Sequence, residues 1–216
     1  MAMSNDEIAA MREEYGSREL RRKDLAVDPV LQFEQWFAEA RKAQLHEPNA
    51  MTLSTVGLNG CPASRTVLMK SYDEQGFVFY TNYGSAKAKE LEAIPMAALL
   101  FPWVLLERQV HISGRVEKVS EEESLKYFSS RPRGSQIGAW ASDQSTAIDS
   151  RDVLIQKTEE LTEKFAGIDV PLPPFWGGYR VIPERMEFWQ GGKGRVHDRF
   201  IYSREQSDWQ IERLAP

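Results

Sequence analysis

The sequence predicts an α+β fold, mainly β, in which an antiparallel barrel or sandwich carries helices at its edges. Short segments of strand-like composition are separated by hairpin-type turns at residues 58–60 and 73–76. No regular alternation of strands with long helices runs along the chain, so a doubly wound parallel sheet is disfavoured. A length of 216 residues with 42% hydrophobic content suits one domain with a sizeable core.

Helix signals flank the strand segments. Asp28 followed by Pro29 is typical of a helix start, and Phe33, Trp36 and Phe37 follow at helical spacing, which predicts a helix to about residue 45. Its aromatic face should dock on the core. Further helices are predicted at 85–93, at 120–130, from the Arg131-Pro132 interruption up to 140, and at 150–165.

Strands are predicted from alternating or β-branched patterns. In the segment 108–119, Val110 and Ile112 alternate with His111 and Ser113, so one face should be wet. The predicted strands are 51–56, 63–70, 77–81, 96–103, 108–119, 179–182, 185–190, 199–203 and 209–214. Residues 1–27 are charged and are predicted to form a flexible segment before a single domain, 28–216.

Charge and cysteine content exclude several classes of protein. Acidic residues outnumber basic ones, 32 to 27, which disfavours nucleic-acid binding. The one dense basic cluster, Arg18 with 21–23, is interpreted as a solvated helix end or linker. The single cysteine, Cys61, fits a reducing compartment. Residues 1–10 lack a signal-peptide core, and the apolar run 96–106 is too short to cross a bilayer, so we expect a cytoplasmic protein with no membrane partner.

Motifs for several common chemistries are missing from the sequence. The three histidines, His46, His111 and His197, do not pair with each other or with Cys61 at metal-ligand spacing, so no metal site is predicted. No nucleophile elbow and no Walker sequence occur, and the glycines at 192–194 lack the third glycine of a dinucleotide fingerprint. Any catalysis must therefore come from a cofactor or from dispersed polar groups.

Cationic and hydroxyl side chains gather at strand and helix ends in three places. Arg65 and Lys70 bracket an apolar strand, and Tyr80-Thr81 precedes a helix start that carries Lys87, a combination that suits a phosphate. The alternative is that these cations are solubilising charges at strand ends.

The second and third clusters are similar in kind. Tyr127 and Arg131 are four residues apart, hence on one helix face, and Ser135 follows at the next helix start. This set suits a second phosphate, or is an exposed helix corner with incidental arginines. The segment 189–199 is a glycine-rich loop that carries Arg195 and His197; glycine permits close backbone approach to a ligand, although a charged hairpin loop would look alike.

The three clusters together resemble the pyridoxine/pyridoxamine 5'-phosphate oxidase family, over nearly the whole chain from about residue 12. The motifs that carry the resemblance are R-x-V-L-x-K (65–70), F-Y-T-N-x-G-S (79–85), L-L-F-P-W (99–103), E-R-Q-V (107–110), Y-F-x-S-R-P-R-x-S-Q-I-G-A-W (127–140), Q-S (144–145), P-x-F-W-G-G-Y-R (173–180), F-W-Q-G-G…R-x-H-D-R-F (188–200) and R-L-A-P (213–216).

The resemblance implies an FMN-binding split barrel that works as a homodimer, with two FMN sites at the interface and both subunits contributing. The residues implied for FMN are Arg65, Thr66, Val67, Leu68, Met69, Lys70, Tyr80, Thr81, Lys87, Gln109, Gln144, Ser145, Trp189 and Arg199. Those implied for the substrate are Lys70, Tyr127, Arg131 and Ser135 around its phosphate, Arg195 and His197 near its ring, and Arg12 to Tyr15 as a covering segment.

The implied reaction is oxidation of pyridoxamine 5'-phosphate or pyridoxine 5'-phosphate by O2, with Arg195 and His197 as the catalytic pair. Hydride would pass from the substrate C4' to flavin N5, Arg199 would favour the charge of reduced flavin, and His197 would act as a base or only orient the substrate. The chain departs from the family at Ala86, where the family usually has arginine, and we expect weaker FMN retention as a result.

Three rival functions stay open at this point. A flavin-binding module without oxidase activity would lack the substrate set around Tyr127 and His197. A flavin reductase would use a nicotinamide cofactor as hydride donor. A nucleic-acid-binding barrel with the basic segment 18–23 as its arm is disfavoured by the net charge of −5.

Overall fold

The computed structural model describes residues 3–11, 13–16 and 18–216, and these residues form two compact units. Unit 1 comprises Met1–Pro48, Phe101–His111 and Arg185–Pro216, and unit 2 comprises Asn49–Leu100 and Ile112–Glu184. Across the described ranges, no helix is long and apolar enough to cross a membrane.

Strands and helices follow the order expected from the sequence. The strands are β1 (Ala50–Val56), β2 (Pro62–Leu68), β3 (Ser71–Asp73), β4 (Gly76–Asn82), β5 (Met96–Trp103), β6 (Arg108–Lys118), β7 (Trp176–Gln190), β8 (Asp198–Glu205) and β9 (Asp208–Leu214). The α-helices are α1 (Asn5–Ala9), α2 (Pro29–Lys42), α3 (Ala86–Ala93), α4 (Glu121–Ser130), α5 (Arg133–Ala141) and α6 (Arg151–Lys164). Short 3-10 turns lie at Arg22–Asp24, Val104–Leu106 and Lys193–Arg195.

Unit 2 is built on a sheet with the strand order β2-β1-β5-β6-β7-β4-β3. Strands β1 and β2 form an antiparallel hairpin in which Thr55 pairs with Ala63, and β4 runs antiparallel to β7 with Tyr80 opposite Gly178. The helices α4, α5 and α6 lie beside an apolar cluster in which Phe128, Phe165 and Trp176 are buried. The sheet and this cluster together fix the ends of β2 and β4 and the α4–α5 corner.

Unit 1 joins the C-terminal half of β7 to β8 and β9 in an antiparallel meander. Helix α2 begins where the sequence predicts, because the Asp28 carboxylate accepts hydrogen bonds from the N–H groups of Val30 and Leu31. Its aromatic face is buried, with Trp36 edge-on to Phe188 at 5.3 Å between ring centroids.

The predicted antiparallel fold class is confirmed, with four differences in detail. The predicted break between 179–182 and 185–190 is wrong, since β7 is one continuous strand. Pro183 lies between the pairing of β7 with β4, which ends at Val181, and its pairing with β8, which begins at Arg185, so neither of these ladders requires the missing N–H. The short elements α1 and β3 were not predicted, and α2 ends at Lys42 rather than near residue 45.

Candidate active site

A cavity of about 850 Å³ in unit 2 gathers most of the residues that the sequence singles out. The predicted residues that line it are Arg65, Thr66, Val67, Leu68, Lys70, Tyr80, Thr81, Lys87, Tyr127, Arg131, Ser135 and Gln144. Residues that were not predicted complete the lining: Asn82, Ser130, Pro132, Gly138, Ala139, Ser142 and Trp176. The first two cationic clusters of the sequence therefore form one cavity.

On the strand side of the cavity, the Arg65 guanidinium is held from behind. Its Nη2 lies 2.9 Å from Glu90 Oε2, and its Nη1 donates to the Thr55 hydroxyl at 2.5 Å. The Thr55 hydroxyl in turn donates to the same Glu90 oxygen. Burial raises the Glu90 pKa, but the hydrogen bonds from Thr55 and Arg65 outweigh it, so the net pKa is lowered and Glu90 is a carboxylate.

Lys87, in the first turn of α3, reaches into the same side of the cavity. Its ammonium donates to Gln144 Oε1 at 2.6 Å and to Thr81 Oγ1 at 3.2 Å. Burial lowers the pKa of Lys87, and the neighbouring Arg65 charge lowers it further, whereas Glu90 acts in the opposite direction. The surroundings of Lys87 are thus rich in positive charge, as an anion site requires.

On the helix side, Arg131 lies at the corner between α4 and α5 and has no acidic partner among the described residues. Its guanidinium carbon lies 4.8 Å from the Trp176 ring centroid and 5.8 Å from that of Phe128. Its Nη1 is buried and has no hydrogen-bond partner within the described part of the chain, and burial lowers the Arg131 pKa. A buried N–H without a partner costs about 1–3 kcal/mol, which a bound anion would recover.

Three aromatic rings form a stack in the cavity wall. The rings of Tyr80 and Tyr127 lie 4.0 Å apart, and the Trp176 ring is stacked on Tyr80 at 5.4 Å. Burial raises the Tyr80 pKa to about 12, so its hydroxyl stays protonated at neutral pH. The rings give the cavity an apolar, planar wall beside its cations.

Two glycines let the rings of Tyr80 and Tyr83 lie close against β7. A Cβ atom on Gly178 would lie 2.8 Å from Tyr80 Cε1, and one on Gly177 would lie 2.2 Å from the Tyr83 hydroxyl oxygen. Both distances are shorter than any contact a real Cβ makes, so only glycine lets the two tyrosines lie against β7.

A second cluster, in unit 1, contains the predicted ring-contacting residues. Tyr15 lies edge-on to both Trp189 and His197, at 5.7 and 5.4 Å between ring centroids. The Arg195 guanidinium lies over the Tyr15 ring at 5.9 Å. The Gly192 N–H donates to His197 Nδ1 at 3.1 Å, which fixes the imidazole orientation.

The remaining predicted residues lie outside the cavity lining. Met69 is buried, Ser145 is exposed with a positive φ of 71°, and Gln109 is half-buried on the unit 1 part of β6. Arg199 forms an ion pair with Glu187, 2.8 Å from Nε to Oε1. Arg12 lies outside the described residues. The roles implied for these residues stay predictions.

Metal chemistry has no support in the part of the chain that the structure describes. No group of three or more His, Cys, Asp or Glu side chains there could hold a metal ion.

Besides the other unpredicted lining residues, sequence reasoning gave no role to Trp176 or to the two residues that hold Arg65, Thr55 and Glu90. In the sequence, Glu90 looks like an ordinary exposed charge on a helix, because its partner Arg65 is 25 positions away along the chain. The adjacent buried positions Ala88 and Leu91 mark the inner face of α3 and were the available signal. Trp176 stands in a motif used for the resemblance but was given no role.

The fold and the cavity define a split-barrel protein with a cationic, aromatic-walled site suited to an anionic ligand. A family model described as pyridoxamine 5'-phosphate oxidase matches residues 37–165, and one described as the pyridoxine 5'-phosphate oxidase C-terminal dimerisation region matches residues 176–216. The chain belongs to the pyridoxamine 5'-phosphate oxidase family, which confirms the resemblance seen in its motifs.

Full-length relatives are similar to this chain. A pyridoxine/pyridoxamine 5'-phosphate oxidase from Rippkaea orientalis is 56% identical over 211 residues, covering 97% of this chain and 100% of the relative. One of the same name from Escherichia fergusonii is 54% identical, covering 98% and 99%.

Solved structures share the fold. PhzG from Burkholderia lata, solved with tetrahydrophenazine-1-carboxylic acid, superposes with a TM-score of 0.87 at 32% identity, covering 93% of this chain and 99% of that one. A pyridoxamine 5'-phosphate oxidase-related, FMN binding protein from Nostoc punctiforme gives a TM-score of 0.72 at 16% identity, covering 89% and 100%, which supports the fold alone.

Proposed function

We propose that this chain is an FMN-dependent oxidase that converts pyridoxamine 5'-phosphate or pyridoxine 5'-phosphate to pyridoxal 5'-phosphate. The observation that carries the proposal is Arg131, whose buried Nη1 lacks a partner in a cavity shared with Lys70, Tyr127 and Ser135. An unpaired guanidinium N–H can donate a hydrogen bond to an anion, and a phosphate monoester provides suitable oxygens. The names of relatives at 54–56% identity over nearly the full chain support the same activity.

The residues of the cavity fit FMN. Arg65 and Lys87 would supply cations for its phosphate, and residues 66–68 of β2 would contact the rest of the cofactor. The volume of about 850 Å³ is within the range of cofactor pockets. When bound, FMN accepts the hydride equivalent from the substrate and passes two electrons to O2, giving H2O2.

The substrate end of the cavity binds the phosphate of the B6 compound. Lys70, Arg131 and the hydroxyls of Tyr127 and Ser135 hold it, and this clamp positions the C4' carbon for reaction. The amine substrate consumes O2 and water and yields the aldehyde, ammonia and H2O2. The alcohol substrate consumes O2 and yields the aldehyde and H2O2.

His197 is assigned an orienting role rather than that of a base. Because Nδ1 accepts the Gly192 N–H, a neutral imidazole carries its proton on Nε2. The free ring nitrogen is then a donor, suited to an oxygen of the substrate ring, and Arg195 provides a second donor beside it. We expect His197→Ala to raise KM more than it lowers kcat, and His197→Gln, which keeps a donor, to restore part of the loss.

The protein should act as a homodimer with FMN at the interface, as the dimerisation region at 176–216 supports. In this arrangement one subunit gives the cavity with Arg131, and its partner gives the His197 cluster. Mixing subunits tests it, with Arg131→Ala in one and His197→Ala in the other. Random reassociation should restore activity at about a quarter of the sites, since half of the dimers are mixed and each has one intact site. No restoration would mean that each site uses one subunit only.

The activity test is direct. Purified protein saturated with FMN is given pyridoxamine 5'-phosphate in air, while aldehyde and peroxide are followed. Formation of both, lost in the double variant Arg195→Ala with His197→Ala and retained in the exposed control Arg151→Ala, would support the oxidase. An FMN-loaded protein without turnover would favour a binding module, and oxidation of a nicotinamide cofactor would favour a reductase. A cytoplasmic location, with no nucleic-acid or membrane partner, stays a prediction.

A further inference from the structure

We infer that Glu90, a carboxylate behind the cavity wall that contacts Arg65, is a positioning residue that presents Arg65 to the phosphate of FMN. A negative charge beside an anion site is unexpected, because it should repel the ligand. Its side chain is only 11% exposed, so it is not a solvated surface charge. The inference rests on the proposed function, since it concerns how this chain holds FMN.

The geometry is a closed triangle behind Arg65. Glu90 Oε2 accepts from Arg65 Nη2 and from the Thr55 hydroxyl, and Thr55 accepts from Arg65 Nη1. Thr55 is fixed in β1 and Glu90 in α3, so both partners belong to rigid elements. The guanidinium is held at its two terminal nitrogens, and its remaining N–H groups are left for an anion in the cavity that Arg65 lines.

Glu90 therefore has two opposing effects on FMN affinity. Its charge weakens the attraction of the cavity for a phosphate, whereas its hydrogen bonds remove the freedom of a long side chain before the ligand arrives. A substitution that removes only the charge should leave the affinity unchanged or raise it, whereas one that removes the charge and the hydrogen bonds should lower it. A residue that merely stabilised the fold would produce no such divergence.

Glu90→Gln and Glu90→Ala separate these effects. The glutamine oxygen can accept from both Thr55 and Arg65, so the triangle persists without the charge. We expect Glu90→Gln to bind FMN as tightly as wild type or a few times more tightly, by about the amount one screened charge contributes. We expect Glu90→Ala to bind it about tenfold more weakly, as when a charge-assisted hydrogen bond to phosphate is misaligned.

Binding is measured on apoprotein by quenching of FMN fluorescence, without reference to turnover. Thr55→Val removes the second hydrogen-bond partner of Arg65 and should weaken FMN binding in the same direction as Glu90→Ala. Glu92→Ala is the matched control, since Glu92 is an exposed acid on the same helix, and it should leave the affinity within about twofold of wild type. Thermal melting of each apoprotein identifies a variant that has not folded.

The outcomes are decisive in either direction. Weaker FMN binding by Glu90→Ala and Thr55→Val, with wild-type or tighter binding by Glu90→Gln, supports the positioning role. If Glu90→Ala does not fold, the comparison of Glu90→Gln with Thr55→Val still tests it. Equal or tighter binding by Glu90→Ala overturns the positioning role while leaving the proposed function intact. Failure of wild-type protein to bind FMN overturns both.

Discussion

The two arginines of the cavity in unit 2 are prepared for anions in different ways. Arg65 is matched by a carboxylate, held by Glu90 and Thr55 before any ligand is present. The Arg131 guanidinium lies over the rings of Trp176 and Phe128, and its buried Nη1 has no hydrogen-bond partner among the described residues. Glu90 fixes the Arg65 side chain but offsets part of its positive charge. No carboxylate offsets the charge of Arg131 among the described residues, but one of its N–H donors is left unsatisfied there.

The difference suits ligands with different residence times. A cofactor that stays bound gains from a rigid, preformed contact, because ordering has been completed in the folded protein. A substrate that must enter and leave gains from a strong cation whose unsatisfied donor is compensated only on binding. The comparison predicts that changes at Arg131 affect substrate kinetics, and that changes around Arg65 and Lys87 affect FMN retention.

The largest effect is expected at Arg131. Arg131→Ala removes charge-assisted hydrogen bonds of about 1.5–3 kcal/mol each, so kcat/KM for pyridoxamine 5'-phosphate should fall by about 100-fold or more. Arg131→Lys should recover little, since an ammonium neither stacks on Trp176 nor forms a bidentate pair. Steady-state kinetics at saturating FMN measure both, with Arg151→Ala as control. Unchanged kinetics in Arg131→Ala would remove the basis of the comparison.

Trp176 should produce the next largest effect. Trp176→Leu removes the ring on which Arg131 rests, a contact of about 0.5–2 kcal/mol, and KM should rise by about tenfold. Trp176→Phe keeps an aromatic face, so its KM should lie between those of wild type and Trp176→Leu. FMN affinity is measured in the same variants and should fall less than substrate affinity, because Trp176 packs on Arg131 and touches the FMN set through Tyr80. A larger loss of FMN affinity than of substrate affinity would contradict the division of roles.

Ala86 offers a gain of function on the Arg65 side. Ala86 is exposed in the first turn of α3, beside Lys87, at the position where an arginine is expected from the resemblance. Ala86→Arg adds a cation near the phosphate site and should tighten FMN binding by about fivefold, which is about 1 kcal/mol. Fluorescence titration of apoprotein measures the change, and Ala93→Arg at the other end of the helix is the control. Equal affinity in Ala86→Arg and wild type would refute the expectation of weak retention.

The smallest expected effect concerns pH. Because burial and Arg65 lower the Lys87 pKa, the lysine loses its proton at a lower pH than an ordinary lysine, and the attraction for phosphate falls as pH rises through that value. FMN affinity should therefore decline by about two- to threefold from neutral to alkaline pH. In Lys87→Arg the charge persists and the decline should be absent. An identical decline in both proteins would assign it to another group.

Most of the fold could be predicted because its signals are local. The Asp28-Pro29 start of α2 and the alternation in β6 depend on neighbours within a few residues. The break wrongly placed in β7 shows the limit of this reasoning. A proline normally ends a strand, and the sequence does not show that Pro183 falls where β7 changes partners from β4 to β8.

The site divides in the same way. Lys87, Arg131 and their neighbouring hydroxyls could be selected because cations at strand and helix ends are visible in the sequence. The Glu90–Arg65 pair depends on how the β1–β2 hairpin, whose second strand carries Arg65, lies against α3, a long-range arrangement that no local pattern encodes. Which charges are matched and which are left open is a tertiary property, and it determines what each arginine does.

The glycine pair after Trp176 has a consequence for how this protein can vary. Because a methyl group at Gly177 would overlap Tyr83, and one at Gly178 would overlap both Tyr80 and Val119, a substitution at either position requires these side chains to move or to change. In a library of all single substitutions selected for activity, we expect almost no functional variants at Gly177 and Gly178 and many at exposed positions of α6. A relative that lacks one of these glycines should also differ at the tyrosine that the glycine contacts. We therefore expect Gly177 to vary together with Tyr83, and Gly178 together with Tyr80.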